Sequence, residues 1–488
     1  MHEKFVQLYK NSIVYIVGNI LSRLTGLILI PIYTRIFSPE DYGILDIVII
    51  STMVITTLGT MGLDTALGVF YFQTKSEEKR KVITFSNFVF LMSVIILMCG
   101  TAIFFSRQIA TIIFGNAEYA RYLAIAITTI PFTTITLFCA NIFKRRFKPT
   151  KYFQIVLGNS ILGALTSIYL VVFQKMGLMG VLYGTLISAM FFSVISLYLN
   201  RKSFGQTLSL EKIKKMLKIG LPLAPSGLAI WIMDSSGRYF LANMKTMEDV
   251  GLYSVGLKFA SLFLLVVVSF RLAYDPFRLS VSKSNHAKSI YLKALTYYLF
   301  VTFFIAVVFS IFSKEIIGIF VPSEYINSYK VVGPLVISFI IYGLYPIVGI
   351  GLVLKEKTKY IAYAFIIGAA VSILLNLLLI PALGTLGAAL SVMLTYFSAV
   401  CLIYFWNQKY YYIDFEIKKN LKIFCFLIIV VTMGSLINFD LTIFDILFKS
   451  ILIIFFVIVQ FFTLELSERN KLKLILNVIY NKIVNKIR

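Results

Sequence analysis

Arg23, Asp46, Asp64, Asp234, Arg238 and Lys258 each interrupt a long apolar stretch of this 488-residue sequence. A charge at mid-bilayer costs a few kcal/mol even on insertion-based scales, so each of these groups must face a wet cavity or hold a partner. Arg23 stands about 12 residues into its apolar run, roughly 18 Å along a helix and near the depth of a bilayer midplane. Tyr15, Asn19, Ser22 and Gly26 share its side of that helix by three- and four-residue spacing. A polar stripe around a guanidinium suits a cavity wall, and its planar fork matches a pair of diphosphate oxygens. The alternative is an ion pair with an acid such as Asp234. Lys258 is flanked on one face by Ser254 and Ser261, which suits either a cavity cation or a side chain that snorkels to the interface. Asp234 and Arg238 are one helical turn apart, the spacing of a local pair. Read functionally, Arg238 is a substrate or gate residue and Asp234 a proton or sodium site. Asp46 and Asp64 fall near opposite ends of one run and are expected at the interfaces. The candidate binding set is therefore Arg23, Asn19, Arg238 and Lys258, with Asp234 for ion coupling and no metal or cofactor.

These residues are embedded in a chain that is 59% hydrophobic and 14% charged, against about 25% charged in soluble domains. No soluble fold of this length hides so much apolar surface. The net charge of +24 would suit nucleic acid if it were spread over a surface, but it is not. Cys99, Cys139, Cys401 and Cys425 all lie in apolar runs without metal or redox spacing, and His2 and His286 are the only histidines. The first apolar run is long enough to span and is expected to be a retained helix.

Cutting the sequence into runs of about 20 residues gives about fourteen transmembrane helices. Helix two covers 44–72, helix seven 217–242, helix eight 250–272, helices eleven and twelve 361–381 and 386–406, and the last pair 421–437 and 442–462. With the N-terminus in the cytoplasm, most of the 46 lysines and arginines fall in or beside cytoplasmic loops, whereas the acids divide evenly. That asymmetry is the one expected of a correctly threaded membrane protein, with both termini inside.

The halves of the chain resemble each other. Glu40-Asp41-Tyr42-Gly43 matches Glu248-Asp249-Val250-Gly251, Thr150-Lys151-Tyr152 matches Thr358-Lys359-Tyr360, and Gly177 and Gly180 match Gly384 and Gly387. A six-helix unit repeated with unchanged orientation predicts two parallel lobes around a central cavity. The lobes are expected at 1–205 and 206–412, followed by helices thirteen and fourteen at 413–463 and a basic amphipathic tail at 464–488 for the anionic leaflet. Pro222 and Pro225 break the start of helix seven, and Pro131 and Pro346 sit in helices four and ten. Gly180-x-x-x-Gly184 and Gly387-x-x-x-Ser391 predict close helix packing.

Lys10-Asn11-Ser12 before helix one, Arg35, and Ser38 through Gly43 resemble the opening of polysaccharide-transporter flippases of the multidrug/oligosaccharidyl-lipid/polysaccharide exporter superfamily. Gly220-Leu221-Pro222-Leu223, Val250-Gly251-Leu252-Tyr253-Ser254, Lys258 and Ala273 to Pro276 also fit. Members often carry an adjacent Asp-Arg pair in helix seven; here Gly237 precedes Arg238, and the nearest acid is Asp234. The resemblance implies a multi-pass protein of the bacterial cell membrane. It would move polyprenyl-diphosphate-linked oligosaccharides to the outer leaflet by alternating access, for surface polysaccharide biosynthesis. Its partners would be membrane lipids, a proton or sodium ion and a glycan polymerase, with no nucleic acid. Two rivals share the superfamily: a peptidoglycan lipid-precursor flippase and an ion-coupled multidrug exporter. An enzyme would need an extracytoplasmic catalytic loop with paired acids, and the loops here are short.

Overall fold

Ser38 and Thr246 occupy matched positions in the two halves, and each opens a helix in the same way. In the computed structural model of the chain, Ser38 Oγ accepts a hydrogen bond from the Asp41 amide (3.2 Å), and Thr246 Oγ1 accepts one from the Asp249 amide (3.1 Å). Glu40 and Asp41, like Glu248 and Asp249, place negative charge on the first turn, where the helix dipole favours it.

The structure describes residues 21, 25–436, 442–463 and 469, which form helices joined by turns, with no strand among them. Of the polar stripe expected around Arg23 and Asn19, only Gly26 is among the described residues, and all of the tail but Arg469 lies outside them. The first half comprises α1 (25–33), α2 (Pro39–Thr60), α3 (Leu63–Gln73), α4 (Glu77–Phe104), α5 (Ser106–Phe114), α6 (Ala120–Arg145), α7 (Pro149–Ile168) and α8 (Gly177–Asn200). The second comprises α9 (Leu210–Gly220), α10 (Ala224–Met244), α11 (Met247–Ala260), α12 (Leu264–Ser280), α13 (Ala287–Ile311), α14 (Ser313–Phe320), α15 (Val332–Val348), α16 (Ile350–Leu354) and α17 (Lys359–Tyr410). The last two helices are α18 (Ile417–Leu436) and α19 (Thr442–Phe462).

Among the described residues ten helices are long and apolar enough to cross a bilayer, and the bent pair α11 and α12, meeting at 43°, makes eleven. The runs expected at 361–381 and 386–406 form one stretch, α17, in which Gly384 leaves helical geometry (φ 56°, ψ −129°). Its counterpart Gly177 has φ 58°. Matched sequence thus carries matched backbone. The three-ten turn Leu221–Leu223 falls where the helix-seven prolines stand.

Helices two and eight are interrupted as well. Helix two is broken at Met61 (φ 45°) and Gly62 (φ 66°) into α2 and α3. A side chain on Gly62 would meet the Gly220 carbonyl oxygen at 2.4 Å, so this turn requires glycine twice over. Helix eight is broken at Ser261–Phe263, where three-residue hydrogen bonds replace the α-helical ladder.

At the Pro39 end, α2 and α11 cross backbone to backbone. A Cβ on Gly43 would lie 2.0 Å from the Met247 carbonyl oxygen, and one on Gly251 would lie 1.9 Å from that of Pro39. Small residues permit such an approach where van der Waals contact must hold helices together. Beyond the crossing α3 and α12 part from each other: α3 packs on α4 and α6 and, across the halves, on α9, and α12 packs on α13 and α15. The last two helices lean on α13. There the fully buried Lys449 of α19 bonds Asp445 (2.7 Å) and Glu315 of α14, and Gln460 Nε2 donates to the Phe300 carbonyl (3.0 Å).

Gly251→Ala is expected to lower stability by about 1–3 kcal/mol, the cost of overpacking a tight contact. Thermal denaturation in detergent checks this, with Gly100→Ala, whose Cβ would meet nothing within 4 Å, expected to melt no lower than the parent.

Candidate functional site

The crossing buries a charged seam. Arg238 lies on α10, and its guanidinium reaches not along its own helix but across to α2, where Nη1 donates to Asp46 Oδ2 at 2.9 Å. Both side chains are about nine-tenths buried (9% and 10% exposed). Ser254 of α11 donates to the same carboxylate oxygen at 2.8 Å. Arg238 Nη2 is held by Ser235 Oγ (3.0 Å) and the Asp234 main-chain carbonyl (3.4 Å), and Nε has no partner. The local Asp234–Arg238 pair expected from spacing is therefore not made between side chains. Asp46, expected at an interface, is instead at the centre of the seam. The cause is the glycine crossing, which draws the second turn of α2 under α11 and away from lipid and water.

Lys258 does not run free to an interface. Its Nζ donates to the Tyr42 hydroxyl at 2.6 Å and lies 4.6 Å from that ring's centroid. Tyr42 in turn meets the edge of Tyr325, whose hydroxyl donates to the Phe37 carbonyl (2.8 Å). Farther along α2, the Ser51 and Tyr239 hydroxyls are 2.8 Å apart. Every one of these bonds joins the first half of the chain to the second.

A second arm runs from the seam into the second half. Tyr396 of α17 donates to Asp234 Oδ1 at 2.5 Å, and its ring meets that of Tyr342 on α15. Arg271 of α12 donates to the hydroxyls of Tyr342 (3.1 Å) and Tyr345 (2.8 Å). Its hydrogen bonds run to phenols, so its charge is held in place without being cancelled. At the parted end Arg145 meets Asp64 at 2.5 Å, and Asn141 donates to the same carboxylate. Asp64 is 57% exposed.

Of the candidate residues, the structure brings Arg238, Lys258 and Asp234 to one seam and adds Asp46, Ser254, Tyr42 and Tyr396. Arg271 and Lys449 lie inside the expected helices 250–272 and 442–462, but neither is among the charges singled out from the sequence. Ser254 had a signal of another kind, since it is the repeat equivalent of Asp46. Nothing in the sequence points to Tyr396. No group of three His, Cys, Asp or Glu side chains among the described residues could hold a metal ion. The seam can act as a latch. Its ion pair is favourable only while the halves are together, because separating them leaves two charges to be hydrated.

The family model described as "Polysaccharide biosynthesis protein" matches residues 32–330. No functionally curated protein matches the chain in sequence. Among solved structures the chain is similar to the Lipid II flippase MurJ in an inward closed conformation, at 18% identity and a TM-score of 0.68, covering 94% of this chain and 98% of that one. It is similar also to a point mutant of the Vibrio cholerae MATE transporter VcmN (14% identity, TM-score 0.59, 83% and 96% covered). A third is a MOP superfamily transporter from Pyrococcus furiosus (14%, 0.58, 83% and 95%). All three share the fold.

Arg238→Ala is expected to destabilise the protein by about 3–5 kcal/mol, because it strands a buried carboxylate. In a double-mutant cycle the further loss on adding Asp46→Ala is expected to be much smaller than for Asp46→Ala alone. For comparison, Lys215→Ala removes the exposed pair with Glu211 and is expected to cost less than about 1 kcal/mol. Equal losses at the two sites would show that the seam is not the latch described.

Proposed function

Because the chain belongs to the polysaccharide biosynthesis protein family and has the multi-pass fold of MOP superfamily transporters, we propose that it flips polyprenyl-diphosphate-linked oligosaccharides from the cytoplasmic to the outer leaflet, for surface polysaccharide biosynthesis. The observation that carries this reading is the latch of Arg238, Asp46 and Ser254 at one end of the two-half interface, below which α3 and α12 diverge while α3 stays joined to α9 of the second half. A carrier that exposes its cavity to one side at a time needs a bistable seal of this kind.

In this reading the chain crosses the membrane fourteen times with both termini in the cytoplasm, in lobes at 1–205 and 206–412. The latched Pro39 end then faces outward and the parted end faces the cytoplasm. The glycan and its diphosphate enter between α3 and α12, while the polyprenyl tail stays in lipid beside the last two helices. Arg23 with Asn19 receives the diphosphate near mid-membrane, and Arg271 adds a charge held by phenols. Occupancy by the dianion competes with Asp46 for cationic partners and so favours unlatching. An inside-negative potential assists outward movement by roughly 4–5 kcal/mol for two charges at 100 mV. Asp234, held by Tyr396, is the candidate for proton or sodium coupling.

The test is leaflet transfer in proteoliposomes. The full chain is reconstituted with a polyprenyl-diphosphate oligosaccharide, and outer glycan is read with an impermeant glycosidase. Transfer is expected for the parent and is expected to fall at least tenfold in Arg23→Ala, about the 1.4 kcal/mol of one lost charge contact or more. Transfer retained by Arg23→Ala would keep the function and remove that site. Transfer of a peptidoglycan precursor alone, or ion-driven dye movement without glycan transfer, would replace the assignment.

A further inference from the structure

A slot of about 380 Å³ lies on the flank of the second half, walled by α13, α15, α17 and α18. None of its walls comes from α2, α10 or α11, so it is separate from the seam. Its size falls in the range of pockets that take small ligands, about 300–1,000 Å³. Its long wall is apolar, formed by Ile337, Leu390, Met393, Ile428 and Val431. Its mouth is polar and basic. Lys330 is exposed there, the buried Ser313 also lines the slot with its hydroxyl bonded to the Ser310 carbonyl (2.7 Å), and Lys314 lies 5.9 Å from the centroid of the Tyr329 ring that also lines it. Glu315, next in sequence to Lys314, is turned away to Lys449.

Two further observations point to a ligand. Ser310 lines the slot at 2% exposure, and its hydroxyl has no hydrogen-bond partner. A buried hydroxyl without a partner is costly, so something that accepts or donates a hydrogen bond belongs beside it. Below the slot, a second apolar cavity of about 250 Å³ opens on the same four helices. The lining steps by one helical turn from Ile337 to Ile341, Met393 to Phe397 and Ile428 to Phe424. An amphiphile seated at the mouth has an apolar path for a long chain toward the opposite face.

We infer that this slot is a binding site for an anionic phospholipid, with its phosphate at Lys330 and Ser310 and an acyl chain along Met393, Ile428 and Phe424. The lysines select charge, and the depth of the apolar path selects a chain rather than a free anion. The same three-ten helix, Ser323–Val331, that carries Tyr329 and Lys330 also carries Tyr325, the residue bonded to Phe37 in the seam. Lipid in the slot therefore braces the segment that closes the Pro39 end.

The experiment is native mass spectrometry of the delipidated full chain titrated with phosphatidylglycerol or phosphatidylcholine in detergent. It reads binding alone, so it stands or falls independently of transport. Phosphatidylglycerol is expected to bind more tightly. Lys330→Ala is expected to weaken it roughly fivefold, the effect of one lysine near an anionic lipid, and to leave phosphatidylcholine unchanged. Leu390→Trp, which fills the slot, is expected to displace both, and the exposed Lys202→Ala to change neither. Equal binding of the two lipids with no response to Lys330→Ala would overturn the proposal, and that variant is at the surface and does not depend on refolding the slot. Displacement of phosphatidylglycerol by substoichiometric polyprenyl phosphate would also overturn it, giving the slot to the transported lipid. Binding of inorganic phosphate at the same affinity would reduce it to an anion contact and overturn the lipid assignment.

Discussion

A guanidinium and a carboxylate placed inside a bilayer-spanning protein must either meet or be hydrated, and much of this architecture follows from Arg238 and Asp46 meeting. Each charge taken from water alone costs several kcal/mol, and the pair recovers that only with good geometry and further hydrogen bonds. Ser254 and Ser235 supply them. The geometry in turn requires α2 and α11 to come closer than side chains would allow, which explains why their crossing is built from glycine. The ion pair and the backbone contact are therefore one device. The first gives the closed arrangement a specific partner, and the second excludes the water that would weaken it.

The device is confined to one end because both crossing helices are broken below it. The turns at Met61–Gly62 and Ser261–Phe263 free α3 and α12 to follow their own neighbours. A seam along the full length of two straight helices would bury more surface, but it would leave no end free to part. The contact of Gly62 with Gly220, where α9 gives way to the turn before α10, shows the same use of glycine at a second joint.

The class of the protein and most of its helices were legible because hydropathy over about 20 residues is a strong signal, and the repeat was legible because matched turns need matched residues, as at Gly177 and Gly384. The seam was less legible. Helical spacing told which residues share a face with Arg238 and so suggested Asp234, but it carries no information about a helix almost two hundred positions earlier. Asp46 was placed at an interface by its nearness to the end of an apolar run, when the crossing in fact buries it. The bend after Ala260 has neither proline nor glycine to announce it; it is imposed by packing. Arg271, next to the end of its run, is within the one-turn uncertainty of a helix boundary, whereas Lys449 stands two turns inside its helix and only its partners, Asp445 and Glu315, show why it is tolerated there.

Asp46 and Ser254 are the same position in the two copies of the repeat, and they touch. Positions that meet across a pseudo-twofold axis face their own image, so whatever residue an ancestral duplicated unit carried there would have met itself. Two carboxylates sharing one arginine would repel each other, and two serines would leave that arginine without a counter-charge. Only unlike residues satisfy the contact. Duplication can thus keep identical small residues where the copies meet, as at Gly43 and Gly251, and yet require the copies to diverge at the one meeting point that carries a charge.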